Sequence, residues 1–134
     1  MEDCVFCRIA RGEAQASRVY EDEDAMAFLD ARPVSEGHTL VISRKHHENI
    51  FEIPDEELAK VFKIVKKVAV AIVKSEKAAG LRIVQNNGSA AHQLIFHFHV
   101  HIIPQHEEQD LHGHREFQGQ GELEKVAAKI RKFI

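Results

Sequence analysis

The chain predicts an α+β fold with an antiparallel sheet, and three observations carry that expectation. Short apolar runs separated by polar turns read as hairpin strands, one long stretch has helical three-and-four spacing, and strands and helices are segregated along the chain. With 134 residues, 44% hydrophobic and 29% charged, residues 1–134 are expected to form one soluble domain around a single core.

Cys4 to Gly12 reads as a short helix closed by Gly12. Arg18 to Glu21 and Asp24 to Leu29 read as a hairpin about the acidic turn Glu21-Asp22-Glu23-Asp24. After a loop from Ala31 to Gly37, His38 to Ser43 is the third strand. Pro54 to Ala79 is the longest element, its Leu58, Val61, Phe62, Val65, Val68, Ala69 and Ile72 forming one apolar face. Asp55, Glu56 and Glu57 suit the positive end of a helix dipole, and Gly80 offers a left-handed stop. The lysines at 60, 63, 66, 67, 74 and 77 read as a solvated face. Leu81 to Gln85 and Leu94 to Ile103 are strands flanking the loop Asn86 to His92, with Pro104 ending the second. Gln105 to Gly121 is polar and reads as a mobile loop, and Glu122 to Ile134 returns to helical spacing.

Bulk charge narrows the partners. A net charge of -3 and a pI near 6.4 give no electrostatic case for nucleic acid or a membrane surface. The acidic start Met1-Glu2-Asp3 lacks a signal-peptide layout, and no apolar run approaches the roughly 20 residues that span a bilayer. The cytoplasm is the expected location. The two cysteines, Cys4 and Cys7, are too close to staple a scaffold, and no strand precedes them as in a thioredoxin-like redox pair. They are half of a tetrahedral zinc site, and ten histidines are available to complete one.

The densest chemistry lies in His97-Phe98-His99-Val100-His101-Ile102-Ile103. Side chains on a strand alternate, so the three imidazoles share a face, roughly 6.5 Å apart from one to the next. Phe96, Phe98, Val100 and Ile102 form the opposite, apolar face. An imidazole whose second nitrogen gives its proton to a fixed acceptor is a nucleophile toward acyl or phosphoryl centres. The middle ring, His99, has a neighbour on each side and is the natural one. Upstream, the glycine-containing loop Asn86 to His92 and the amides of Asn86 and Gln93 read either as an ordinary turn or as a phosphate cradle. The chain has no P-loop, no Gly-x-Ser-x-Gly and no Rossmann fingerprint, and no carboxylates pooled near a metal-like cluster as a two-metal phosphatase needs.

The run His97 to Ile103 resembles the His-φ-His-φ-His-φ-φ signature of the histidine-triad (HIT) family of nucleotide hydrolases and transferases. Cys4-Val5-Phe6-Cys7-Arg8-Ile9, Val19-Tyr20-Glu21-Asp22, Ala27-Phe28-Leu29-Asp30, Gly37-His38-Thr39-Leu40-Val41-Ile42 and Asn86-x-Gly88 are similar to further landmarks of that family. They occur in the family order and span residues 4–104, leaving 105–134 as a C-terminal tail and helix. The resemblance implies a HIT-like fold: a five-stranded antiparallel sheet with one long and one C-terminal helix, paired as a homodimer. It also implies that His99 attacks the α-phosphorus of an adenylated substrate, that His101 stands near the leaving group, and that His38 backs His101. Asn86, Gln93 and the backbone around Leu94 would contact phosphate oxygens, and Asp30 would hold the ribose hydroxyls. Val5, Phe6, Ile9 and Phe28 would surround the base, although Phe28 suits a plain core equally well.

Many prokaryotic members carry Cys-x-x-Cys with a structural zinc. By motif position the ligands here would be Cys4, Cys7, His46 and His97, with His46 preferred over the adjacent His47 by register. Two departures stand out. His92 occupies a place where glycine is usual, and Leu94 replaces a hydroxyl residue found in several relatives. His106, His112 and His114, in the variable tail, read as solvated. The resemblance favours the Hint-like branch, which splits purine nucleotide phosphoramidates or acyl-nucleotides to release a nucleoside monophosphate. Fhit-like cleavage of dinucleoside polyphosphates, or a nucleotide-binding interaction module with little turnover, are the alternatives.

Overall fold

Alternating side chains on each strand divide this protein into a helix-covered face and an open face. The structure, a computed structural model, describes residues 4–107 and 119–134. Its elements are α1 (Val5–Ala10), β1 (Arg18–Glu21), β2 (Ala25–Leu29), β3 (Thr39–Ser43), α2 (Asp55–Glu76), β4 (Gly80–Val84), a 3-10 turn (Ser89–Ala91), β5 (His99–Gln105) and α3 (Gln120–Arg131). The strands form one five-stranded sheet in the order β1-β2-β3-β5-β4, and every neighbouring pair is antiparallel. Among the described residues, no helix is long and apolar enough to cross a membrane. His112, His114 and most of the loop read between Gln105 and Gly121 lie outside the described residues.

On the helix-covered face, Ala25, Ala27 and Leu29 of β2, Val41 of β3 and Val100 and Ile102 of β5 pack in one cluster with Val61, Val65, Val68 and Ile72 of α2 and Leu123, Ala127 and Ile130 of α3. The other face receives Met26, Phe28, Leu40 and Ile42, which bury Phe6, Ile9 and Ala10 of α1. Because α1 is only 6 residues long, it covers the β2–β3 end and leaves β5 and β4 open on that side. Phe62, counted into the apolar face of the long helix, is instead exposed, as are the five lysines of that helix and Lys77 just beyond it.

Several element ends differ from the sequence expectation by one to a few residues, and three of the differences have a visible cause. The left-handed stop of α2 is Lys77 at φ 52, whose N–H donates to the Val73 carbonyl, while Gly80 opens β4. β5 begins at His99, not at Leu94, because its neighbours stop first: Ile42 of β3 pairs with His99 and Val84 of β4 pairs with His101. The Phe98 carbonyl still accepts the Ser43 N–H at 3.4 Å, the last contact with β3, but the Phe98 N–H already turns to the His47 carbonyl at 2.7 Å. β5 also runs through Pro104, which pairs with Leu81. Its carbonyl accepts from Ser35 Oγ on the β3 side, where β3 has already ended at Thr39, so the missing N–H leaves no donor wanting a ladder partner.

At its far end, α3 is fastened by Lys129, whose Nζ lies 2.9 Å from Glu36 Oε2 and 3.2 Å from Glu76 Oε2. Glu76 lies under the turn at Gly37 (φ +93), where an added Cβ would stand 2.9 Å from Glu76 Cγ. Burial first, and then the Glu36 carboxyl, push the Glu76 carboxyl up to about 7, against the pull of Lys129. An unfolded chain would release this proton near 4.5, whereas the folded chain holds it to about 7. The folded state thus binds more protons across that interval, and this carboxyl's contribution to stability falls as pH rises through it. Glu76→Gln is expected to gain on the parent protein as pH rises, which paired thermal melts across the interval will show. A gap that does not change with pH contradicts the assignment.

Candidate active site and metal cluster

β5 turns two imidazoles, those of His99 and His101, toward a cavity, and main-chain atoms set the tautomers in and around this pair. His99 Nδ1 lies 2.6 Å from the His97 carbonyl, which can only accept, so Nδ1 bears the proton and Nε2 keeps its lone pair. Burial lowers the pKa of His99, favouring the neutral ring. His38, fully buried, accepts the Val34 N–H at Nδ1 (3.0 Å). Its Nε2 then carries the proton and donates to His101 Nδ1, 3.0 Å away. His101 in turn holds its proton on Nε2, and its ring stands 5.1 Å from that of His99. Asp30 Oδ2 lies 3.5 Å from His38 Nε2, and Asp30 Oδ1 accepts from the Arg32 N–H at 2.8 Å. The result is a lone pair beside a proton donor. That pairing suits attack on phosphorus followed by protonation of a leaving group.

The rings face a cavity of about 790 Å³. At its apolar end are Val5, Phe6 and Ile9 of α1, Phe28 of β2 and Leu40 of β3, with the Phe6 and Phe28 rings 5.5 Å apart edge to face. Phe28 and Phe6 are both core and wall: they belong to the α1 cluster and also line the cavity. Asp30 and His38 lie along the same wall. Asn86, His92 and Leu94 line the β4 side, Leu94 being 86% exposed. Arg82, Val84 and Leu40 were not singled out in the sequence; Leu40 follows from alternation with Ile42, but Arg82 and Val84 need the β4–β5 register.

Gln93 does not present its side chain to the cavity. It is buried, donating from Nε2 to the carbonyls of Glu48 (2.6 Å) and Ile95 (3.2 Å) and accepting the Gly88 N–H at 2.8 Å. Its amide pins the loop that carries Asn86 and His92. Within that loop His92 adopts φ 67, so the position does require a left-handed residue, which histidine meets more readily than most. A β-branched residue would not: His92→Val is expected to cost roughly 1–2 kcal/mol. His92→Gly should at least match the parent. Urea denaturation of the two variants checks both, and equal stability of Val and Gly contradicts the strain.

Cys4, Cys7, His46 and His97 offer ligand atoms that all lie within 4.8 Å of one another. Cys4 caps α1 and Cys7 sits in its first turn, which brings the two sulfurs to one end of the helix. His97 Nδ1 is 3.3 Å from Cys4 Sγ and 3.5 Å from Cys7 Sγ, and His46 Nδ1 is 3.3 Å from Cys7 Sγ. A tetrahedron with sulfur at about 2.3 Å and nitrogen at about 2.0 Å from its centre has S···N edges of about 3.5 Å, so these donors fit one zinc ion. His97 Nε2 donates to the Ser43 carbonyl at 2.6 Å, leaving Nδ1 as the donor atom toward the sulfurs. Burial lowers His97 to about 4 and lowers His46 as well, so both rings are neutral and able to ligate. Adjacent His47 pairs with Glu57 instead. His106, expected to be solvated, is exposed.

A family model described as the HIT domain matches residues 11–108. The crystal structure of a Hit-like protein involved in cell-cycle regulation from Bartonella henselae superposes with a TM-score of 0.96 at 37% identity, covering 100% of this chain and 98% of its own. A Zn-bound histidine triad family protein from Mycobacterium smegmatis gives a TM-score of 0.88 at 35% identity, covering 98% and 92% of the two chains. Adenylylsulfatase HINT3 of Arabidopsis thaliana is 42% identical over 105 residues, 78% of this chain and 53% of the plant protein. On the extent of these matches, this chain belongs to the histidine-triad (HIT) family.

Proposed function

We propose that this protein is a nucleotide hydrolase that attacks the α-phosphate of purine nucleotide phosphoramidates or acyl-nucleotides and releases a nucleoside monophosphate. One observation carries the reading: His99 has its Nδ1 proton committed to the His97 carbonyl, beside His101 on the same cavity wall. The Nε2 lone pair of His99 forms a bond to phosphorus as the bond to the leaving group breaks, and the His101 Nε2–H passes the departing amine the proton it needs, a proton His101 regains from the water that attacks next. Water then displaces the imidazole and the nucleotide leaves. The apolar wall of Val5, Phe6, Ile9 and Phe28 takes the base, and Asp30 takes the ribose hydroxyls. Asn86 and the backbone at Leu94 serve the phosphate, while Gln93 serves it indirectly by holding the loop in place.

Incubation with a base-labelled adenosine phosphoramidate for less than one turnover tests this. Label should be trapped on the protein at His99 and be lost on hydrolysis. The naming of the plant relative as an adenylylsulfatase supports an α-phosphate target of this kind.

We further infer that Cys4, Cys7, His46 and His97 hold a structural zinc ion, since four protein donors leave no open position for chemistry. When bound, it cross-links α1 to the start of β5. The working unit is read as one domain over residues 1–134, acting as a cytoplasmic homodimer. Exposed apolar Val70 of α2 and Ile83 of the edge strand β4 suit burial against a second copy.

A further inference from the structure

We propose that Arg82 forms an oxyanion subsite for the leaving group, so that the cleft selects adenylates whose departing group is negatively charged, such as a sulfate or a phosphate. This rests on reading the cavity as a site of nucleotidyl transfer. Val84 is paired with His101 and Arg82 with Ile103, so Arg82 projects from the same face of the sheet as His101, one alternation further along. α1 closes the opposite end of the groove over β2 and β3. Whatever a substrate carries beyond its ribose and α-phosphate must therefore extend over β5 toward β4, where Arg82 lines the cavity wall.

The guanidinium has no assigned duty within the fold. Arg11 pairs with Glu13, Arg18 donates to the Ile9 carbonyl, Arg44 to Ala10 and Arg131 to Arg18. Among the described residues, Arg82 makes no ion pair or hydrogen bond of that kind. Asp30 is the one carboxylate among the described residues lining the cavity, and it stands beside His38, away from β4. The β4 wall thus presents a positive charge on the same side as the loop that bears His92, and among the described residues lining the cavity no carboxylate but Asp30 is present to neutralise it.

The chemistry gives that charge a use. An amine must gain a proton as it departs, which His101 can supply. A sulfate needs none: the His99 Nε2 lone pair makes the P–N bond, and the P–O bond to sulfate breaks with its electron pair passing to the departing oxygen. The group leaves as the dianion. Water then replaces His99 on phosphorus, giving the nucleoside monophosphate and returning a proton to the solvent. What such a group requires is stabilisation of the developing negative charge, which a guanidinium provides through two parallel N–H donors.

The test uses the full-length protein with His99→Ala, so that ligands are bound and not consumed. Adenosine 5′-phosphosulfate, adenosine 5′-phosphoramidate and AMP are titrated calorimetrically into that protein and into the same protein carrying Arg82→Gln or Arg82→Lys. Phosphosulfate is expected to bind about tenfold more tightly than phosphoramidate when Arg82 is present. Arg82→Gln should bring the ratio close to one, and Arg82→Lys should restore part of it. In catalytically active protein, the ratio of kcat/KM for the two substrates should fall about tenfold with Arg82→Gln. If AMP binds but the preference is missing, or survives Arg82→Gln, the subsite is overturned while the nucleotide site stands. If none of the three ligands binds, the underlying reading of the cavity fails, and the subsite with it.

Discussion

Replacing His99 by Ala is expected to abolish nucleotidyl transfer, with a loss of at least about 10⁴-fold in turnover, because the atom proposed to form the covalent bond is removed. The fold should survive. His99 is buried chiefly against Phe6 and His101, whose ring centroids are each 5.1 Å from its own, and truncation there leaves a void open to the cavity and not a sealed hole. The decisive measurement is therefore paired: trapped label per chain in less than one turnover, and thermal melting of the same samples. Label on the parent and none on an equally folded variant is the expected result. Equal hydrolysis by both proteins would mean that water attacks directly, and the covalent mechanism would be wrong.

Removal of zinc should produce the second large effect, this time on stability. Elemental analysis is expected to find about one zinc per chain, and Cys4→Ser or exhaustive chelation should cost roughly 3 kcal/mol or more. The loss falls on the junction of α1 with the start of β5, since His97 and the two cysteines have no other strong partner in common. Stability should suffer more than turnover measured well below the melting temperature, because the contact that fixes His99 is to the main-chain carbonyl of His97 and not to its ring. A metal-free protein that melts with the parent would rule out a structural ion.

Much of this site was legible in the sequence because strand parity is a local property. His99 and His101 share a face for the same reason that Val100 and Ile102 share the other, and no partner strand is needed to see it. The Cys4–Cys7 spacing is local in the same sense. What could not be read depends on where distant elements stop. The start of β5 is fixed by the ends of β3 and β4, Gln93 turns inward because the Glu48 carbonyl waits 45 residues away, and Arg82 joins the cavity only through its register with Ile103. Likewise Lys129 meets Glu36 across 93 residues, a pairing invisible to any window of the chain. Lys77 took the left-handed position in place of Gly80, so the point where this helix unwinds is settled by the strand that must start at Gly80 and not by the most permissive residue nearby.

The protonation pattern of the imidazoles is written by main-chain atoms: the carbonyls of Ser43 and His97 and the amide of Val34. Such contacts do not depend on which side chains those positions carry, provided that residue 34 is not proline and keeps its N–H. Drift at residues 34 and 43 can thus proceed without scrambling which nitrogen is basic. A one-residue insertion or deletion between His97 and His101 cannot, for it would send part of the row to the wrong side and erase the proposed metal anchorage and the proposed reactivity together.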